Sequence, residues 1–230
     1  MIMRSYGQYC PVAKAAQILG DRWTVLIVRE MSFGVHRFNE MERCLPGISR
    51  SVLAQRLRHL EHIGLIERQT GEGRTVDYRL TDAGHDLKPV LQALGEWAAR
   101  WAFGDPDPRE LDPDLLMRWI SRHVAMDRLP GRRIVAQFEF PVPRSRRYWL
   151  VLEPEEASVC LHSPGFDTDV FVTADTEALY GVYLGRRTLQ SAMREGLVTV
   201  EGTPSLVRAF PRWFTWSDFA PAVRAAAQVG

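Results

Sequence analysis

The stretch from Phe38 to Leu80 constrains the fold most, because glycine, proline and capping residues cut it into pieces of fixed length. Phe38 to Leu45 is long enough for a short helix, and Pro46-Gly47 makes a turn after it. Ser49 is placed to cap a longer helix, in which Leu53, Leu57 and Leu60 recur at three- and four-residue steps on one face. Gly64 closes that helix. The run Leu65 to Gln69, the tip Thr70-Gly71-Glu72-Gly73-Arg74 and the run Thr75 to Leu80 then read as strand, glycine-rich tip and strand. In the second strand Val76, Tyr78 and Leu80 alternate with Asp77 and Arg79.

Helical segments flank this stretch. Cys10-Pro11-Val12 starts the first, since proline is favoured where a helix has no use for the N–H. Gly20 ends it. Asp21 caps the next, whose Trp23, Leu26, Ile27 and Met31 keep core spacing, and Gly34 stops it. Thr81 caps a helix carrying Leu87, Val90, Leu91, Leu94, Trp97, Ala98 and Trp101 along one stripe, with a bend expected at Pro89. Short helix, turn, capped longer helix and two strands with a basic tip form the order of a winged helix-turn-helix. Gly104-Asp105-Pro106-Asp107-Pro108 is the clearest linker, which divides the chain into 1–104 and 105–230. Beyond it Leu111–Leu129 reads as helical, followed by strands at Ile134–Phe140, Tyr148–Leu152, Ser158–His162 and Val170–Ala174. Helices at Thr176–Leu184 and Leu189–Glu195, a strand at Leu197–Val200 and a helical run from Ser205 to Phe214 complete it. The fold class expected is α+β: a winged helix-turn-helix domain, then an α+β domain with a mainly antiparallel sheet.

Composition narrows the function classes. Apolar residues make up 46% and charged residues 25% of 230, enough for a core in each half and too ordered a mix for wholesale disorder. Residues 1–104 hold 14 basic against 11 acidic residues, and 105–230 hold 15 against 17, so the basic surplus lies with the helix-turn-helix. Three cysteines, Cys10, Cys44 and Cys160, make no disulfide framework and point to a reducing compartment. The polar N-terminus and the lack of a long apolar run predict a soluble, cytoplasmic protein without membrane contact.

Double-stranded DNA is the partner this arrangement would meet. With Leu53 at the centre of the buried face, 100° per residue puts Ser51, Gln55, Arg58 and His62 on the far side, with Arg50 and Ala54 beside them. Arg and Gln can pair with guanine and adenine edges in a major groove, and a small Ala permits close approach. Arg37, Ser49, Arg68 and Arg74 are placed for phosphates, which fix register. Arg56 lies toward the buried flank and reads as structural.

These residues carry a resemblance. Cys-Pro-Val at 10–12, Gly-Asp-Arg-Trp-Thr at 20–24, Leu-Pro-Gly-Ile-Ser at 45–49 and Leu-Ala-Gln-Arg-Leu-Arg-His-Leu at 53–60 resemble the HxlR family of winged-helix regulators. Gly-Leu-Ile at 64–66, Tyr-Arg-Leu-Thr-Asp-Ala-Gly at 78–84 and Leu-Gly-Glu-Trp at 94–97 extend it. The resemblance implies a homodimeric regulator, expected to be a repressor, on a pseudo-palindromic operator. It places the interface on the first and last helices of the domain, here Val12, Leu87, Leu91, Leu94, Trp97, Ala98 and Trp101. It also points to Cys10 as a redox sensor, at a helix start whose dipole makes a thiol more reactive.

The second half is similar, in its element order and in residues 172–176 and 197–210, to sterol-carrier-protein-like lipid-binding domains. That similarity implies a hydrophobic small-molecule effector, for which Phe138, Trp149, Phe171, Tyr180, Tyr183 and Trp213 supply aromatic surface. An aromatic set of this kind is equally a core. No catalytic motif, cofactor loop or metal set is expected: His59 and His62 lack a third ligand, and Gly71-x-Gly73 fits a wing tip. The rival reading is a small-molecule or lipid carrier that uses its N-terminal half for dimerisation.

Overall fold

Two separate apolar cores organise the chain. A computed structural model describes residues 6–70, 75–142 and 144–227, and packing groups the chain into units Met1–Leu94 and Gly95–Gly230. The first unit runs α1 (Pro11–Leu19), α2 (Thr24–Ser32), α3 (Phe38–Cys44), α4 (Arg50–His62), β1 (Ile66–Thr70), β2 (Val76–Leu80) and α5 (Asp82–His85). It continues into α6 (Lys88–Trp101), within which the division falls. Leu53, Leu57 and Leu60 of α4 are fully buried against Ile27 and Val28 of α2, Met41 of α3 and Ile66 of β1. Each such side chain contributes about 1.5–3 kcal/mol by leaving water.

The capping expectations show in the hydrogen bonds. The Ser49 hydroxyl accepts from the Val52 N–H at 3.3 Å. Thr81 accepts from the Gly84 N–H and donates to the Gly64 carbonyl, tying α5 to the end of α4. Gly84 is buried, and a Cβ there would stand 2.2 Å from the Leu65 carbonyl oxygen, so the packing admits glycine alone. Asp21, expected to cap α2, does not: the N-cap position is Trp23, whose N–H donates to the Asp21 carboxylate at 3.1 Å. The expected bend at Pro89 is instead a break between two helices. α5 ends at His85 and α6 begins at Lys88, which puts Pro89 in the first turn, where its missing N–H leaves nothing unpaired.

β1 and β2 pair antiparallel from Ile66↔Leu80 to Thr70↔Val76. The Tyr78 N–H donates to the His36 carbonyl at 2.8 Å, and His36 Nδ1 donates to the Tyr78 carbonyl at 3.2 Å. The hairpin is thereby fixed to the segment that leads into α3.

After the end of α6 the second unit continues through a proline-rich turn to α7 (Pro113–Arg122). Its strands are β3 (Ile134–Phe140), β4 (Arg146–Leu152), β5 (Ala157–Cys160), β6 (Val170–Ala174) and β7 (Val198–Gly202). Its later helices are α8 (Thr176–Leu184), α9 (Leu189–Arg194), α10 (Pro204–Ala209) and α11 (Ala220–Ala227). The sheet order is β5-β4-β3-β6-β7; β3 and β6 are parallel and the other neighbours antiparallel. The α+β expectation holds, with α11 an element the sequence pattern did not show. The helix expected over Leu111–Leu129 stops at Arg122, and a separate one-turn 3-10 helix follows at Met126–Arg128. The run from Ser205 to Phe214 divides in the same way, into α10 and a 3-10 turn at Phe210–Arg212, because Pro211 cannot continue the helical bonding.

Period-2 alternation decides what the sheet buries. Ile134, Ala136, Phe138 and Phe140 of β3 point into the core with Tyr148, Leu150 and Leu152 of β4, while Gln137 and Trp149 face the other way. Tyr148 donates its hydroxyl proton to Asp114, whose second oxygen takes Arg146 at 2.9 Å. Burial, the Asp114 hydrogen bond and its charge all push the Tyr148 phenol above its ordinary range. No described helix is long and apolar enough to cross a membrane.

Candidate nucleic-acid interface

Helix α4 presents a polar ridge opposite its leucine face. Ser51, Gln55, Arg58 and His62 are all exposed, and Ala54 is half-buried beside them. Thirteen residues make a rod of about 20 Å. Its first turn carries no acid, so phosphates would meet the positive end of the helix dipole without a repelling charge. Among the described residues none forms a hydrogen bond or ion pair with the side chains of Gln55 or Arg58.

Neighbouring arginines divide by role. Arg56, two residues before Arg58, is mostly buried and holds Asp21 at 2.6 Å, bracing α4 against the start of α2. This is the structural part expected of it. Arg50 is exposed, yet its guanidinium bonds Glu42 and Asn39 and lies 5.0 Å from the Phe38 ring centre. Arg37 stands at the N-cap of α3, with Nε 3.5 Å from Asp77 of β2. Sequence reasoning missed Glu42, Asn39 and Asp77, because only the folded chain brings α3, α4 and β2 together. Arg68 lies exposed on β1 opposite Tyr78. Ser49 is occupied as the α4 cap. Arg74 lies outside the described residues.

The apolar stripe of α6 is left open. Leu94 is 48%, Trp97 57% and Trp101 71% exposed, and Val12 of α1 is 75% exposed. Leu87 and Leu91 turn inward onto the first core, and Ala98 is half-buried. From Gly95 onward the helix has a second neighbour: the Phe219 ring sits so close over Gly95 that an added Cβ would fall 2.1 Å from it. Cys10 is the half-buried N-cap residue of α1. Cys44 is buried in the first core, and Cys160 is half-buried on β5.

The aromatic residues named for a ligand part company. Phe138, Tyr180, Tyr183 and Trp213 are core residues. Trp149 and Phe171 sit on the opposite face of the sheet, either side of Gln137 in one cross-strand row. Tyr180 alone of the six borders a cleft of the second unit, together with Trp119, Glu177, Leu184, Arg186 and others. Glu177, Tyr180, Gly181 and Leu184 are spaced i, i+3, i+4, i+7, a helical stripe visible in the sequence once α8 is known. Among the described residues no group of three or more His, Cys, Asp or Glu is gathered as for a metal.

A family model described as HxlR-like helix-turn-helix matches residues 18–105. The HTH-type transcriptional regulator YvaP of Bacillus subtilis is 40% identical over 108 residues, which is 46% of this chain and 96% of that protein. The chain belongs to the HxlR-like helix-turn-helix family. The HTH-type transcriptional regulator Rv3095 of Mycobacterium tuberculosis is 38% identical over 109 residues, 46% of this chain and 65% of that protein. The reduced form of the transcriptional regulator YodB from B. subtilis is 36% identical over 41% of this chain and 96% of that one, with a TM-score of 0.37. As an HxlR-like chain, the protein is a DNA-binding transcriptional regulator.

Proposed function

We propose that this HxlR-like regulator is a sequence-specific repressor that binds a pseudo-palindromic operator as a homodimer. The observation that carries the proposal is the exposed row Ser51, Gln55 and Arg58 on a helix braced from behind by buried leucines and the Arg56–Asp21 pair. Gln55 and Arg58, flanked by Arg50 and Ala54, are assigned to base edges, and Arg37, Ser49, Arg68 and Arg74 to the phosphate backbone. Dimerisation joins the open stripe of α6 and Val12 of α1 to a second copy. Two recognition helices then meet successive major grooves about 34–36 Å apart.

Selection of bound fragments from random DNA tests this directly. A recovered palindrome with half-sites near 10 base pairs apart supports it, and an unstructured pool defeats it. Affinity should also fall log-linearly with salt, with a slope of about −0.9 for each phosphate engaged. A lipid carrier would bind its ligand with no operator preference.

Control is assigned to a signal received at Cys10 or in the second unit, read as a sterol-carrier-like receptor for a hydrophobic small molecule. Oxidant treatment that alters operator binding of the native chain but not of Cys10→Ser supports the first route. An effector coupling of about 1–3 kcal/mol, seen as a 5–150-fold change in operator affinity, supports the second.

A further inference from the structure

We propose that the cleft of the second unit is a receptor for a lipophilic organic cation. This rests on the reading of that unit as a small-molecule receptor and gives the ligand its charge. The cleft encloses about 690 Å³, room for a multi-ring molecule. One wall is α8, whose Glu177, Tyr180, Gly181 and Leu184 line it in succession along a single helical face. Leu111 and Trp119 also line it.

The rings are arranged as a corner. Trp119 meets Tyr180 edge-on, with centroids 6.1 Å apart and planes at 83°, and Trp119 is held from behind by stacking on Tyr183 at 5.7 Å. The Tyr180 hydroxyl is spent on Asp112, accepting from its N–H at 3.1 Å and donating to its carbonyl at 2.9 Å. Tyr180, a buried core residue, therefore offers the cleft only the margin of its ring and no spare hydroxyl donor. An electron-rich ring beside carboxylates attracts an organic cation.

Charge selects the sign. The lining carries four carboxylates, of Asp105, Glu110, Glu177 and Glu195, against two guanidinium groups. Both guanidinium groups are already answered. Arg186 bonds Asp105 at 3.2 Å and the carbonyls of Phe103 and Gly104. Arg187 bonds Glu195 at 3.0 Å, its stem lying against Gly181. Arg109, next to Glu110, is bonded to Asp107. An anion entering here would have to break these pairs. The Glu110 side chain accepts the Asp107 N–H and feels the Arg109 charge beside it, and among the described residues no cation or donor engages Glu177. Two exposed carboxylates beside the Trp119 ring, with Leu111 and Leu184 alongside, leave a net-negative cleft with an apolar part.

Titration calorimetry on the full chain without DNA, with tetraphenylphosphonium and tetraphenylborate, tests the proposal. The two probes share size and shape and differ in sign. We expect the phosphonium to bind one per chain and the borate at least tenfold more weakly. Glu177→Gln, an exposed change, should lower phosphonium affinity by roughly tenfold and leave the thermal midpoint in place. Equal affinities, tighter borate binding, no phosphonium binding or an unaltered Glu177→Gln variant would each overturn it. Since no operator is present, such a failure leaves the DNA-binding reading intact.

Discussion

Arg56 and Arg58 are two residues apart on one helix and have opposite fates, because a 200° rotation carries one to the α2 flank and the other to solvent. Arg56→Ala should lower the thermal midpoint by the equivalent of about 1–3 kcal/mol, through loss of a half-buried pair that leaves Asp21 unanswered, and leave base preference alone. Arg58→Ala should do the reverse, relaxing preference at one operator position by about 1–3 kcal/mol in competition binding with no change in melting. Gly84 is a third residue whose identity is forced. Gly84→Ala drives a methyl group into the Leu65 carbonyl, and urea unfolding should show a loss of about 1–3 kcal/mol. The glycine is plain in the sequence; the carbonyl it must avoid is not, since Leu65 and Gly84 meet only after the hairpin between them has folded.

At the scale of elements, α4 was legible because its cap, its leucine period and its closing glycine all lie within the sixteen residues 49–64. The α5–α6 break was legible only as a disturbance. Pro89 marks it, but whether proline kinks a helix or begins one depends on where the previous helix ends. The exposed half of α6 makes its own prediction. Leu94→Glu and Trp97→Glu each place charge on a surface proposed to be covered by a second copy. Sedimentation equilibrium should then find monomers, with operator binding lost and the fold retained by circular dichroism. Monomers in the native chain would remove that interface from consideration. Phe219 over Gly95 shows why the helix could not be assigned to one role from its stripe alone: a neighbour from 124 residues downstream packs beside the same apolar residues.

Among the described residues two cores share no side chain, one of fourteen buried residues around α4 and one around the five-stranded sheet. Calorimetry should resolve their unfolding. Leu57→Ala should depress one transition, and Trp213→Ala should depress the other, by about 2–5 kcal/mol each; a single transition shifted alike by both would show that they unfold as one. The sequence alone determined the elements of the first half, the polar ridge on α4 and the α+β character of the second half, because capping, turns and periodicity act over a few residues. Tertiary structure decided which arginines remain free, which aromatics become core and which border a cleft. Those outcomes depend on groups far apart in the chain, such as Glu177 with Trp119 or Arg37 with Asp77, whose meeting is set by how the cores close.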